Sequence, residues 1–279
     1  MNYRHAYHTG NFADVMKHVA LVALIQHLCK KEKPFAMIDT HAGRGLYDLA
    51  GEEAGKTAEA QSGIARLVSS ADDPPALSTY LKIARGQGTN HYPGSPLIAA
   101  KLLRPQDRLV AIEKHPEEFA GLAQSLSHFA NAKAMEVDGY VGLKSLLPPP
   151  ERRGLVLIDP PYEGDDEFVA AARALIAASR RFATGIYMLW YPLKSGAEAD
   201  AAIGEVLNAG IAKLLRIELS VGRAPDMQPE RLSAAGLLVA NPPFGFAEEM
   251  RRTLVGLTPR LAQGANASSR LEWLAGEDS

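Results

Sequence analysis

The alternation of short apolar runs with helical stretches is the feature that most constrains the fold of this chain. Seven such runs recur along its 279 residues, and most are separated by segments in which apolar residues have helical spacing. This alternation predicts an α/β fold with a seven-stranded, mostly parallel, doubly wound sheet that binds ligands at the carboxyl ends of its strands. The predicted strands lie at 35–39, 109–113, 134–138, 155–159, 185–190, 213–221 and 235–240, and the last two are close enough to form an antiparallel hairpin.

Two segments interrupt or precede this alternation. Asn11 is predicted to cap a helix that runs from residue 12 to about residue 31 and carries an apolar stripe. Residues 46–94 are polar, with helical pieces near 60–70 and 75–86. We therefore expect a main domain formed by 1–45 and 95–279 and a small inserted helical subdomain at 46–94. The last ten or so residues are expected to form a loose tail.

Composition limits the classes of function. The net charge is −2 and the isoelectric point about 6.5, so any nucleic acid would be held by a local basic patch. Cys29 is the only cysteine, which excludes an intrachain disulfide and favours a reducing compartment. The first residues do not resemble a signal peptide. The apolar stretch 15–28 carries Lys17 and His18 and looks too short and too charged for a membrane span. We expect a cytoplasmic protein without a membrane anchor, for which a monomer suffices.

Four successive predicted strands end in carboxylates, namely Asp39, Glu113, Asp138 and Asp159. Uncompensated carboxylates destabilise a fold, so packing alone does not explain this row. Glu113 is placed to accept hydrogen bonds from ribose hydroxyls. Asp138 is placed to accept from an adenine amine, and Gly139 allows close approach. The row predicts a ligand that contains an adenosine group.

The first predicted strand leads into a glycine loop, Thr40 to Gly45. A dinucleotide fingerprint would need a third glycine where Asp48 stands, and a pyrophosphate would be repelled by that carboxylate. S-adenosylmethionine carries a sulfonium cation and no phosphate, so the loop favours this cofactor. A glycine turn without a ligand is the alternative at this point.

The tetrapeptide Asp159-Pro160-Pro161-Tyr162 directly follows the fourth predicted strand. Methylation of the exocyclic amine of a base needs acceptors for both N–H groups, because the nitrogen lone pair is delocalised into the ring. Asp159 and the Pro160 carbonyl can supply these acceptors, and Tyr162 can stack on the base. These residues are therefore the predicted catalytic set.

A near-copy, Asn241-Pro242-Pro243-Phe244, follows the last strand of the predicted hairpin. Asn can hold an amine as Asp does, so the tetrapeptide alone does not decide between the two. Strand order favours the first motif, because the fourth strand should lie beside the first strand and its glycine loop. We assign the second motif a structural role.

Together these residues resemble the RlmJ family of large-subunit ribosomal RNA adenine-N6 methyltransferases. The resemblance rests on Tyr3-Arg4-His5, 11–18, 39–43, 92–96, Asp138-Gly139, 159–162 and Trp190-Tyr191-Pro192, and it is weak in the insertion and in 222–233.

The resemblance implies a class I S-adenosylmethionine-dependent methyltransferase, with a Rossmann-like sheet and a small helical insertion. Its substrate would be an adenine of 23S rRNA, which in the family is adenine 2030. Tyr3 and His5 would belong to an N-terminal tail that closes over the site and meets the RNA. The implied cofactor contacts are Lys17, His18, His41, Ser95, Glu113, Asp138, Gly139 and Asp159.

Other readings remain open at this point. A DNA adenine-N6 methyltransferase shares the chemistry, although no long target-recognition segment is visible. A protein-glutamine methyltransferase is disfavoured by Asp159 and by the tail, and a non-catalytic RNA-binding module by the intact row of carboxylates. A metal site formed by His5, His8, His18 and Asp14 fits no standard zinc spacing, so no metal is expected.

Overall fold

The computed structural model describes residues 9–51, 59–164, 166–193, 196–224, 227–228 and 231–276, so Tyr3 and His5 lie outside the described residues. The strands are β1 (Ala36–Asp39), β2 (Leu46–Asp48), β3 (His91–Pro93), β4 (Arg108–Glu113), β5 (Ala132–Glu136), β6 (Gly154–Ile158), β7 (Ile186–Pro192), β8 (Leu214–Ser220), β9 (Ala234–Ala240) and β10 (Ser268–Ala275). The helices are α1 (Phe12–Cys29), α2 (Glu59–Ser62), α3 (Pro75–Arg85), α4 (Ser95–Leu102), α5 (Pro116–Leu126), α6 (Gly139–Leu146), α7 (Glu167–Arg181), α8 (Gly196–Asn208) and α9 (Phe246–Leu261).

The main sheet has the order β10-β8-β9-β7-β6-β1-β4-β5. The five strands from β7 to β5 in this order are parallel to their neighbours. β9 is antiparallel to both β7 and β8, which confirms the predicted hairpin. Apolar clusters fill both faces of the sheet, so the predicted mixed α/β architecture is confirmed. β6 lies beside β1, as the assignment of Asp159 requires.

The sheet has eight strands, so the predicted number of seven and the loose tail were wrong. β10 pairs antiparallel with β8 and covers its outer edge. Leu271 and Trp273 pack against the core, while the side chain of Glu272 between them is 39% exposed. This alternation is typical of a half-exposed edge strand. Residues near the end of a chain are often disordered, but here they form a strand. Without β10, the backbone N–H and C=O groups at the outer edge of β8 would be left unpaired.

Helix α1 is buried on nearly all sides. Asn11 caps it, because its side chain accepts from the backbone N–H groups of Ala13 and Asp14. Among the described residues it is the one helix long and apolar enough, by length and composition, to cross a membrane, so the expectation that the stretch is too short was wrong on length. It packs against α3, α4 and α9, and 83% of it is buried inside the protein, as in the central helix of a core.

The inserted segment 46–94 is closed at its base by a small antiparallel sheet that the sequence did not reveal. In this sheet Leu46 of β2 pairs with Pro93 of β3. The described helical pieces are α2, a 3₁₀ turn at Ile64–Arg66, and α3, which packs on α1. The segment therefore contacts the central helix, while its treatment as a separate subdomain stays a prediction.

Candidate active site

Carboxylates line the carboxyl edge of the parallel strands. β1 ends at Asp39, β4 ends at Glu113, and Asp159 directly follows β6. Asp138 lies two residues beyond β5, at the cap of α6. Since β6, β1, β4 and β5 are consecutive neighbours in the sheet, these carboxylates follow one edge in the order Asp159, Asp39, Glu113 and Asp138.

Asp159 forms a buried ion pair with Lys17. The Lys17 Nζ atom lies 2.6 Å from Asp159 Oδ2 and 2.8 Å from Asp14 Oδ1. Burial alone would lower the pKa of Lys17, but the two carboxylates outweigh it and hold the pKa above its usual value. The ammonium is therefore charged at neutral pH. Lys17 was predicted to contact the cofactor, and the structure places it against Asp159; a cofactor contact stays a prediction.

Asp39 is fully buried beside this pair. Its Oδ2 atom accepts a hydrogen bond of 2.6 Å from Ser95 Oγ, at the start of α4. Its Oδ1 atom is buried and has no hydrogen-bond partner among the described residues. Burial, with a smaller effect from Asp159, raises the pKa of Asp39 to about 7, against the opposing hydrogen bond from Ser95. A cationic ligand group would satisfy this oxygen. Asp39 was recognised as a strand-end carboxylate but not predicted as a cofactor contact.

Glu113 is held by backbone N–H groups on both of its oxygens. Gly43 N–H donates to Oε2 at 2.9 Å, and His115 N–H donates to Oε1 at 2.7 Å. Gly43 has a φ of +60°, and a Cβ there would lie 2.0 Å from the Tyr47 hydroxyl, so the loop needs glycine. Each oxygen keeps a second lone pair, so the predicted bonds to ribose hydroxyls are compatible with this geometry.

Asp138 forms hydrogen bonds with the start of α6 and an ion pair with Lys114. Its Oδ1 atom accepts from the N–H groups of Tyr140 and Val141 at the start of α6, and its Oδ2 atom lies 3.2 Å from Lys114 Nζ. The carboxylate therefore has a structural role as a helix cap. Its interaction with the adenine amine of a cofactor stays a prediction.

Gly139 makes room for the loop that follows β1. A Cβ at this position would lie 2.2 Å from the Thr40 carbonyl oxygen and 3.0 Å from the His41 ring. The His41 Nδ1 atom lies 2.8 Å from Thr40 Oγ1, and its ring meets Tyr140 edge-on. Desolvation lowers the pKa of His41 to about 4, so the ring is neutral at physiological pH.

His18 is buried beneath the same edge and belongs to a chain of side-chain hydrogen bonds. Its Nδ1 atom lies 2.8 Å from the Tyr92 hydroxyl, which lies 2.9 Å from the Tyr80 hydroxyl. Tyr92 comes from β3 and Tyr80 from α3, so the inserted segment supplies both hydroxyl groups of the chain that ends at His18. Sequence reasoning missed both tyrosines. Tyr92 lies in a motif that carried the resemblance, whereas nothing in the sequence singled out Tyr80.

Tyr162 is fixed against β7. Its hydroxyl donates to the Trp190 carbonyl at 2.6 Å, and its ring meets Phe168 and Trp190 edge-on. Pro160, two residues before Tyr162, is buried. Trp190 also lies 5.9 Å from Lys17 Nζ. The predicted catalytic motif and Lys17 therefore lie close together, and stacking of Tyr162 on a base stays a prediction.

The second motif lies at the opposite edge of the sheet. β9 runs antiparallel to β7, so Asn241 follows β9 beside the amino end of β7. Its Nδ2 atom donates to the carbonyl oxygens of Ala183 and Gly185. This amide therefore ties a loop to the sheet, far from the row of carboxylates.

Three comparisons with known proteins bear on identity. A family model described as "Ribosomal RNA large subunit methyltransferase D, RlmJ" matches residues 32–275. The chain belongs to the RlmJ family. Relatives named "Ribosomal RNA large subunit methyltransferase J" from Escherichia coli (strain K12) and Haemophilus influenzae are each 39% identical to it, over 99% of this chain and 100% of each relative. A crystal structure of a Legionella pneumophila protein is 34% identical, with a TM-score of 0.86 over 97% of this chain and 99% of that one.

Membership confirms the expectations from sequence at the level of family and reaction class. The chain is a ribosomal RNA methyltransferase, and its sheet is that of a class I methyltransferase with one additional strand. Family membership implies a cofactor of the S-adenosylmethionine type. Within the part of the chain that the structure describes, no group of three or more His, Cys, Asp or Glu side chains is placed to hold a metal ion.

Proposed function

We propose that this protein transfers a methyl group from S-adenosylmethionine to the N6 atom of an adenine in 23S rRNA, adenine 2030 by analogy with the family. The observation that carries the proposal is the position of Asp159. Its carboxylate lies at the carboxyl edge of the sheet, one strand from the glycine loop, and is held by Lys17 at 2.6 Å. The names of the relatives support large-subunit ribosomal RNA as the substrate.

The acidic edge fits the proposed cofactor. Asp39 offers a buried oxygen without a partner among the described residues, which suits an ammonium or sulfonium group. Ser95 orients that carboxylate, and Glu113 is fixed where it can accept from a ribose. When bound, the cofactor supplies an electrophilic methyl group on a sulfonium cation. His18, His41, Asp138 and Gly139 complete the proposed set of contacts.

Asp159 and Pro160 bind the target amine in this proposal. Asp159 Oδ2 faces Lys17, so Oδ1 is the oxygen that we assign to one amine N–H, and the Pro160 carbonyl takes the other. As the new C–N bond forms and the bond between the methyl group and sulfur breaks, its electron pair stays on sulfur, which leaves as a neutral thioether. The amine nitrogen becomes positively charged, and its hydrogen bonds to these oxygens strengthen. The same contacts therefore bind the transition state more tightly than the substrate. Tyr162 limits the motion of the base by stacking on its ring.

A proton must leave the nitrogen after transfer. The methylated amine is a strong acid, so its proton passes to Asp159 or to water. Lys17 pairs with the carboxylate form of Asp159 and keeps it oriented toward the amine. Positioning of two substrates at one edge supplies much of the acceleration.

The N-terminal tail is the proposed contact with RNA. Tyr3 and His5 are the residues we assign to this contact, and the first described residues after them approach the site, since Gly10 N–H donates to Asp14 Oδ2 at 2.9 Å and Asp14 pairs with Lys17. All the residues named come from one chain, and we propose a cytoplasmic enzyme that acts as a monomer.

The proposal is tested with labelled S-adenosylmethionine and three acceptors: unmodified 23S rRNA transcribed in vitro, assembled large subunits and double-stranded DNA. We expect N6-methyladenine in ribosomal RNA, at one position after nuclease mapping. Label in DNA alone would support the DNA methyltransferase alternative. Label in protein alone would exclude both.

A further inference from the structure

We propose that Asp14 is a positioning residue for methyl transfer, which acts on Asp159 through the shared ammonium group of Lys17. This role rests on the proposed function and adds a residue to it. Asp14 lies in the first turn of α1 and is 3% exposed, as is Lys17 one turn further along the helix. The Lys17 Nζ atom lies between Asp14 Oδ1 and Asp159 Oδ2, at 2.8 Å and 2.6 Å.

Asp14 is itself held by the backbone. Its second oxygen accepts from Gly10 N–H at 2.9 Å, and Gly10 has a φ of +76°, a conformation that favours glycine. A Cβ at Gly63 of the inserted segment would lie 2.1 Å from the Gly10 carbonyl oxygen, so this turn is closely packed. Asp14 is therefore a fixed point from which the flexible Lys17 side chain can be oriented.

Asp14 and Asp159 share the Lys17 ammonium, and this sharing leaves negative charge on Asp159 for the target amine. An ammonium that faced Asp159 alone in a buried site would form a one-to-one pair and neutralise the oxygen atoms that must accept the amine. With Asp14 on its other side, Lys17 is bound to both, and the three groups together keep a charge of −1. Asp159 therefore remains a strong acceptor while its orientation stays fixed.

Helix capping does not account for the arrangement. Asn11 already caps α1, and Asp14 directs its carboxylate to Lys17 and Gly10. Arg104 and Asp107 provide a matched comparison, because they form a pair with the same i,i+3 spacing at 2.8 Å. Asp107 is 1% exposed and lies before β4, at the edge opposite the carboxylate row.

The test compares Asp14→Asn, Asp14→Glu and the control Asp107→Asn. We measure single-turnover methyl transfer to unmodified 23S rRNA at saturating cofactor, the Kd for the cofactor, and Tm. Asp14→Asn should lower the transfer rate about 100-fold, because the acceptor loses its orientation, while Kd changes less than about threefold. Asp14→Glu should restore part of the rate. Asp107→Asn should lower Tm and leave the rate unchanged.

A wild-type rate in Asp14→Asn would overturn the role, as would an equal loss in Asp14→Glu or a parallel loss of cofactor binding. Absence of N6-methyladenine with the wild-type protein would instead overturn the proposed function, and this role with it.

A second measurement holds even if Asp14→Asn folds poorly. Asp14→Asn should lower Tm more when Lys17 is present than in a Lys17→Met background, because the pair between Asp14 and Lys17 is lost only in the first case. An equal change in Tm in both backgrounds would overturn the coupling.

Discussion

Two nearly identical tetrapeptides occupy opposite edges of one sheet and have different surroundings. Asp159 to Tyr162 and Asn241 to Phe244 each follow a buried strand, and each contains a residue with φ near +50°. Asp159 meets a buried ammonium at the carboxyl edge. In the described part of the chain, the Asn241 amide donates to two backbone carbonyl groups at the amino edge, and Phe244 is 85% exposed. Strand direction, rather than the tetrapeptide, decides which copy can take part in chemistry.

The sharpest contrast comes from truncating the first residue of each motif. Asp159→Ala should lower methyl transfer at least about 1,000-fold, because it removes an acceptor of the transition state, while cofactor binding largely survives. Asn241→Ala should leave the rate unchanged and cost about 1–3 kcal/mol of stability, because two carbonyl groups lose their donor. Single-turnover kinetics and denaturation measure these effects. Normal turnover in Asp159→Ala would contradict the assignment of the chemistry to the first motif rather than the second.

A substitution of Lys17 tests whether its buried charge is what distinguishes the surroundings of Asp159 from those of Asn241. Lys17→Met removes the ammonium that pairs with Asp14 and Asp159, so transfer should fall about 100-fold and stability by about 3–5 kcal/mol. No comparable charge contacts Asn241 among the described residues. Retention of both rate and Tm would show that the ion pair has no part in the function.

The raised pKa of Asp39 predicts that both the stability of the protein and its affinity for the cofactor depend on pH. Its folded pKa of about 7 lies above the usual value of 3.8, so the free protein loses stability from this group as pH rises from about 4 through 7. A cationic cofactor prefers the carboxylate, so its affinity should rise over the upper part of this range. Asp39→Asn should flatten both curves, in Tm and in calorimetric Kd. A cofactor affinity that is independent of pH in the wild type would exclude the proposed contact.

The smallest expected effect concerns the aromatic residues. Tyr162→Phe removes the hydrogen bond to the Trp190 carbonyl and should cost about 1 kcal/mol of stability, with a several-fold loss of rate. Phe244→Ala, at the corresponding position of the other motif, should change neither quantity. Equal effects of the two changes on rate and stability would contradict the different roles assigned to the two motifs.

Local patterns predicted much of this molecule. Asn11 and the apolar stripe predicted α1, and the strand alternation predicted a sheet in which Asp159 lies next to the glycine loop. The partner of Asp159 was not predictable, because Lys17 is 142 residues away in sequence and meets it only when α1 packs on the sheet. Tyr80 was missed for the same reason. β10 carried a visible alternation that its position near the end of the chain obscured.

The roles of the twin motifs, the tail and the cofactor contacts remain predictions until they are tested. Residue type and strand order singled out 159–162, Glu113, Asp138 and Gly139, whereas the tail and the other cofactor contacts are what the family resemblance implies. Their chemistry depends on distances between distant segments, which no local pattern encodes.

Helix α1 has a consequence for biosynthesis. It leaves the ribosome long before α9, against which it packs. The part of its apolar surface that α9 covers therefore stays exposed until α9 has been synthesised, and such a surface is prone to aggregation or capture by chaperones. Because α1 also carries Lys17, the nascent chain is expected to form the ion pair between Lys17 and Asp159 only after residue 159 has left the ribosome.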